Sequence, residues 1–149
     1  MDTVSSSERS RIMARVKSSG NKSTEVAVIS LFRTSRLSGW RRHYPLNGKP
    51  DFVFPQKRIV LFIDGCLWHG CPTHCRIPHT NRKYWIGKIA ANKRRDVAVR
   101  RRLRISGWTV FRLWEHDIGT PVALSTIAGI KKTRPTTRCS PTTCPRRAS

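Results

Sequence analysis

The segment Ile59-Val60-Leu61-Phe62-Ile63 constrains the fold more than any other stretch of the chain. An unbroken apolar run this short is too brief for a helix. Its β-branched members favour an extended backbone, so it predicts a central strand covered by protein on both faces. The run ends in Asp64-Gly65, which puts a carboxylate at the strand terminus. Upstream, Asn47-Gly48-Lys49-Pro50 is turn chemistry leading into Asp51-Phe52-Val53-Phe54, and Pro55-Gln56-Lys57-Arg58 turns the chain back. Such a hairpin brings Asp51 and Asp64 to neighbouring positions. A further strand is expected after Gly39, over Trp40 to Leu46.

Helical spacing surrounds this strand unit. Ser5-Ser6-Ser7-Glu8 fits a capping box, and Ile12, Met13 and Val16 repeat at helical intervals until Ser18-Ser19-Gly20 stops them. A second helix is expected from near Ser23 to about Ser38, with Val28, Ile29, Leu31 and Phe32 as its apolar stripe and Glu25 one turn earlier on the same face. The longest helix is expected from Asn81 to about Ile105, where Trp85, Ile89, Asn92, Asp96, Val99 and Leu103 alternate steps of four and three. Gly107 to Trp114 reads as another strand, closed by Glu115-His116-Asp117. Strand, long helix, strand implies an α/β fold with a mixed central sheet flanked by helices. One domain over 1–130 is expected, followed by a basic, disordered tail over 131–149 in which Pro, Thr, Ser and Arg dominate.

Lys and Arg number 30 against 8 Asp and Glu, for a formal charge of +22. A compact body this basic repels itself unless a polyanion is its usual partner, and nucleic acid is the natural one. No apolar run approaches the ~20 residues that cross a bilayer, and the polar start lacks a signal-peptide centre, so a cytoplasmic protein without membrane contact is expected. Of five cysteines, Cys66, Cys71 and Cys75 crowd together among histidines, which in a reducing compartment suggests metal more than disulfides.

The residues able to carry chemistry follow from these placements. Asp51 and Asp64 form a pair suited to a hard divalent cation such as magnesium, which takes oxygen ligands and suits phosphodiester cleavage; the alternative is two turn aspartates in solvent. His69, five residues after Asp64, is placed to deprotonate a water, or else to act as a ligand or hydrogen-bonding group. Cys66, Cys71, His74 and His116 have the composition of a structural zinc site, with Cys75 able to replace His74 and an unmetallated thiol cluster as the plain alternative. Leu67-Trp68 sits within the same loop, and Trp85 opens the long helix among basic residues. Both tryptophans suit wedging into DNA, although for Trp85 a core position competes. Glu25 and Asp96 fall at positions that ought to be apolar and therefore need partners, a salt bridge being the plain explanation for Glu25.

Together these residues resemble the very-short-patch repair (Vsr) endonucleases, over roughly Ser5 to Asp117. The most specific stretches are Lys49-Pro50-Asp51-Phe52-Val53-Phe54 and Phe62-Ile63-Asp64-Gly65-Cys66-Leu67-Trp68-His69-Gly70-Cys71-Pro72-Thr73-His74. The resemblance implies a restriction-endonuclease-like fold and nicking 5′ of the thymine in a T:G mismatch left by deamination of 5-methylcytosine. It implies Asp51 and the carbonyl of Ile63 as magnesium ligands, His69 as the base, Asp96 near the leaving oxygen, Glu25 as a further acidic site residue, and Cys66, Cys71, His74 and His116 as zinc ligands. Leu67, Trp68 and Trp85 take the positions of residues that wedge beside the mismatch. Leu67 stands where the family usually has an aromatic ring, and Asp64 where some members have histidine, which leaves its role open. A monomer acting on double-stranded DNA is expected, with other mismatch-repair proteins as candidate partners. The competing readings are a non-catalytic zinc-stabilised DNA-binding module and a restriction-type nuclease that cuts both strands of undamaged DNA.

Overall fold

The computed structural model describes residues 22–135. The helix expected after Ser5 and most of the expected tail lie outside the described residues. Among these, three strands form one mixed sheet in the order β1 (Phe52–Phe54), β2 (Ile59–Asp64) and β3 (Thr109–Trp114). β1 runs antiparallel to β2, and β3 runs parallel to it, with Phe62 opposite Arg112 and Asp64 opposite Trp114. The parallel connection requires a crossover, and the chain supplies it as the long helix α2 (Arg82–Ile105), preceded in sequence by α1 (Lys22–Thr34).

Burial explains the apolar run. Ile59, Val60 and Leu61 are 0%, 0% and 1% exposed, which needs cover on both faces of the strand. On one face, Ile59 and Leu61 pack with Phe52, Phe54 and Leu113 against Val28 and Phe32 of α1 and against a C-terminal helix, α3 (Pro121–Lys132). On the other, Val60 and Val53 pack against Leu103 of α2, with Phe62, Val99 and Val110 beside them. Three layers result, helix over sheet over helix. Each large apolar side chain fully buried here contributes about 1.5–3 kcal/mol of transfer free energy, so the sheet centre is the energetic middle of the fold.

The structure differs from the expected elements in three places. α1 ends at Thr34 rather than near Ser38, because Arg36 takes a left-handed conformation (φ 52°) and Leu37 turns its N–H back to the carbonyl of Phe32 at 2.8 Å. Leu37 then packs in the same cluster as Phe32, the apolar contact that accompanies this kind of helix stop. Trp40 to Leu46 is not a strand. Arg41 exchanges two hydrogen bonds with Val53, at 2.7 and 2.9 Å, and pairing then stops. His43 has a positive φ of 52° and Pro45 has no N–H to donate, so the ladder has no way to continue.

The third difference is α3, a helix over Pro121–Lys132 that was not anticipated. Its signals are nonetheless in the sequence. The Thr120 hydroxyl caps the helix by accepting the N–H of Val122, Pro121 occupies the first turn, and Ala123, Ile127 and Ile130 repeat at helical spacing to form its buried stripe. Among the described residues no helix is long and apolar enough to cross a membrane.

Candidate active site

Strand parity decides which side chains meet. Val53, Val60 and Val110 all face α2, so Asp51, Asp64 and Arg112, each an even number of residues away, point to that same side of the sheet. From the opposite layer α2 presents Asp96. The loop after β2 closes over the group: its His69 N–H bonds the carbonyl of Gly65 at 3.1 Å, and that of Cys71 bonds Cys66 at 2.9 Å.

The contacts are short and polar. His69 Nδ1 lies 2.6 Å from Asp96 Oδ2 and 3.8 Å from Asp64 Oδ1. Arg112 holds Asp64 through two parallel hydrogen bonds of 2.6 Å and reaches Asp96 at 3.1 Å. Burial opposes the guanidinium charge, but the hydrogen bonds and charges of Asp64 and Asp96 outweigh it and raise the Arg112 pKa. Asp51 Oδ2 accepts the N–H of Ile63 at 2.7 Å. Burial raises the Asp51 pKa; the Ile63 hydrogen bond opposes this, the charge of Asp64 adds to it, and His69 works against it. Asp51, Asp64 and His69 therefore share one electrostatic neighbourhood. Glu25 is ion-paired with Arg42, the plain partner expected for it. A cavity of about 400 Å³ opens here, bounded in part by Glu25, Arg42, Tyr44, Lys49 and Asp51.

A second constellation anchors the loop. One donor atom from each of Cys66, Cys71, His74 and His116 lies within 4.8 Å of all the others, the arrangement of a metal-ligating group. His74 takes the fourth place. The Sγ of Cys75 turns instead toward the carbonyl of Leu67, at 3.9 Å. Glu115, a residue sequence reasoning passed over, accepts the N–H of Cys66 at 2.7 Å and so ties the start of the loop to the end of β3.

Residues 1–76 match the family model described as DNA mismatch endonuclease Vsr. The chain belongs to the Vsr family. It is 39% identical over 115 residues to the type II nicking enzyme V.NaeI of Lentzea aerocolonigenes, covering 73% of this chain and 68% of the relative. It is 36% identical over 120 residues to V.NmeDIP, a type II nicking enzyme of Neisseria meningitidis serogroup C, covering 79% and 80%. The DNA mismatch endonuclease Vsr of Escherichia coli strain K12 is 41% identical over 73 residues, 47% of this chain and 46% of that one. The Vsr chain is thus a DNA endonuclease, and its +22 charge suits that substrate.

The remaining predicted site residues of this Vsr chain fall near the loop with different exposures. Leu67 and Trp68 are half-buried, whereas Trp85 is only 7% exposed and lies 5.6 Å from Trp68, ring to ring. The core position considered for Trp85 is the one it occupies. Asn92, buried on α2, donates from its side-chain amide to the carbonyl of Trp68 at 2.8 Å and pins that residue from below. Arg112, the cation joining Asp64 to Asp96, went unnoticed in the sequence. The available signal was a charged residue inside the apolar strand Val110-Phe111-Arg112-Leu113-Trp114, on the face parity assigns to Asp64.

Proposed function

We propose that this chain nicks one strand of double-stranded DNA 5′ of the thymine in a T:G mismatch arising from deamination of 5-methylcytosine, by magnesium-dependent hydrolysis with His69 as the base. The observation that carries the reading is the convergence of Asp51, Asp64, Asp96 and His69 on one side of the sheet. A half-buried carboxylate, Asp51, and a carboxylate-supported imidazole, His69 with Asp96, within one neighbourhood are the parts that phosphodiester hydrolysis needs. The relatives support cleavage of a single strand, since four-fifths of V.NmeDIP aligns and both it and V.NaeI are described as nicking enzymes. The mismatch rests on the family description and on the half-buried Trp68. The strand–helix–strand layers support a restriction-endonuclease-like fold in one domain; a monomer, with other mismatch-repair proteins as partners, is the form proposed to act.

Magnesium fits at Asp51. Among the described residues Glu25, Asp64, Asp96 and Asp117 each have a cationic or histidine partner within 4 Å, whereas Asp51 has the N–H of Ile63. In an antiparallel pair the two groups of one residue point the same way, so the Ile63 carbonyl faces β1 and Asp51 as its N–H does. Magnesium bound there would polarise the phosphate and stabilise its developing charge, worth several kcal/mol. Asp96 accepts from His69 Nδ1 and so leaves Nε2 as the imidazole lone pair that takes a proton from water. Leu67 and Trp68, half-buried in the loop, are the wedge residues of this reading, and Trp85, buried 5.6 Å away ring to ring, backs Trp68.

Zinc fits the second constellation. Bonds of ~2.0–2.3 Å to nitrogen and sulfur imply tetrahedron edges of roughly 3.3–3.8 Å. The separations Cys66–His116 (3.0 Å), Cys71–His74 (3.9 Å) and Cys71–His116 (3.9 Å) fall just below and just above that range, so small side-chain shifts would bring the donors onto a tetrahedron. Cys66, Cys71, His74 and His116 would fill all four positions, which suits a structural ion that holds the His69 loop in place.

The test is to incubate the purified chain with magnesium and matched duplexes that carry T:G or C:G at one position, and to map any break. Nicking of the T:G duplex alone, abolished by Asp51→Ala with DNA binding retained, is the expected result. Linear product from an undamaged plasmid would instead establish the duplex-cutting alternative.

A further inference from the structure

Arg112 stands where three groups of the proposed site can be controlled by one side chain. Its guanidinium lies over the ring of Phe62, 5.6 Å from the centroid, and its side chain is one-quarter exposed. Nε bonds Asp64 Oδ2, and one Nη bonds Asp64 Oδ1, each at 2.6 Å. The same Nη lies 3.1 Å from Asp96 Oδ2 and 3.4 Å from His69 Nδ1.

Counting hydrogens resolves the arrangement. That Nη has two, and one is committed to Asp64. The 2.6 Å contact between His69 and the Asp96 carboxylate requires the imidazole hydrogen on Nδ1, so Nδ1 has no lone pair to receive the other. Asp96 Oδ2 therefore accepts from His69 and, 3.1 Å from the same Nη, is ion-paired with the guanidinium. Held from two sides, the carboxylate has one orientation, and His69 is left with Nε2 bare. Both oxygens of Asp64 are meanwhile engaged by Arg112, so Asp64 serves as the anchor of the guanidinium.

We infer that Arg112 is a positioning residue for nicking: anchored by Asp64 in a bidentate fork, it orients Asp96 so that His69 presents its Nε2 lone pair to the reacting water. The inference rests on His69 being the base. A lysine is a point charge without a fork and does not reproduce two parallel bonds to one carboxylate together with an ion pair to another.

The rival account is purely structural, with Arg112 present only to neutralise a buried Asp64. Four variants separate the two: His69→Ala, Arg112→Met, Arg112→Ala, and the double variant Asp64→Leu with Arg112→Met. Each is measured for melting temperature, DNA affinity without metal, and single-turnover nicking of a T:G duplex at saturating protein. Arg112→Met strands a buried carboxylate and is expected to melt early, while the double variant removes both charges and recovers the melting temperature. If Arg112 positions the dyad, the double variant still nicks roughly 100-fold slower than the unaltered chain at unchanged DNA affinity, the scale of loss for a misplaced catalytic group. Millimolar guanidinium then speeds nicking by Arg112→Ala and leaves the unaltered chain unaffected. Full-rate nicking by the double variant overturns the inference, as does guanidinium that raises the melting temperature of Arg112→Ala without raising its rate. Full-rate nicking by His69→Ala instead removes the underlying reading of the base.

Discussion

Asp96 of α2 and His69 of the loop after β2 meet at 2.6 Å, Oδ2 to Nδ1, across 27 positions of sequence. Neither residue's neighbours in the chain make this contact. It is made by the packing of α2 on the sheet, with Leu103 buried against Val53 and Val60 at one end and Trp85 against Trp68 at the other. Asp96→Asn keeps the side-chain shape but removes the charge that stabilises an imidazolium and can offer a donor where an acceptor is needed. Nicking in a single turnover is expected to fall by about 10²–10⁴-fold, the usual worth of general acid–base catalysis. DNA affinity measured without metal should stay near that of the unaltered chain; an equal loss in binding would refute the assignment.

The two tryptophans should separate by what each one costs. Trp85 is 7% exposed, so Trp85→Ala opens a core cavity and is expected to lower stability by about 3–5 kcal/mol, read from the urea midpoint. Trp68 is half-buried and held through its backbone carbonyl by Asn92, a bond that Trp68→Ala leaves intact. That variant should stay folded near the original midpoint and lose most of its preference for T:G over C:G duplexes. The reverse pattern, with Trp68→Ala unfolding and Trp85→Ala merely less selective, would assign the wedge to the buried ring.

The sheet and the long helix were legible because their signals are periodic. The run from Ile59 to Ile63 reports burial on both faces directly, and the stripe from Trp85 to Leu103 marks the surface of α2 that packs, Asp96 included. The cysteine and histidine spacing pointed to the four residues that the structure clusters, but left Cys75 as the alternative to His74, since the two are adjacent and only the turn of the loop orients one inward. Arg112 was hidden because its meaning lies in register: it becomes part of the site only when β3 pairs parallel to β2 with Phe62 opposite. The expected strand over Trp40 to Leu46 failed for a local reason, the left-handed backbone at His43, which apolar alternation does not report.

Gly70 offers a backbone test of the loop. It adopts φ +62°, and an added Cβ would lie 2.5 Å from Lys93 Cε and 2.7 Å from Ile89 Cγ2, both on α2. Lys93 is flexible and can swing aside, but Ile89 is buried and cannot. Gly70→Ala is expected to destabilise by about 1–3 kcal/mol through strain and overpacking. Because His69 is adjacent, nicking should fall by more than the loss of folded protein explains. An unchanged melting temperature would mean the loop is not seated on α2 as described.

Zinc affinity should carry a pH signature set by the two thiols. Burial, then the hydrogen bond and charge of Glu115, push the Cys66 thiol up to about 12. Burial also pulls Cys71 upward, but hydrogen bonds from the Thr73 hydroxyl and from the backbone of His74 and Thr73 outweigh it and bring that thiol down to about 6. Zinc takes both as thiolates. Above about pH 6, Cys71 has already lost its proton and zinc displaces only the one on Cys66; below it, both protons must leave. The thiols' share of the slope of log K against pH should therefore steepen from about one to about two as pH falls through that point. Titration of the metal-free chain with zinc, followed by a competing chromophoric chelator across this range, gives the slope directly. Cys71→Ser should weaken binding at every pH and remove the thiols' part of the steepening, whereas Cys75→Ser should leave both the affinity and the profile in place. Steepening that is undiminished in Cys71→Ser would assign it to another ligand.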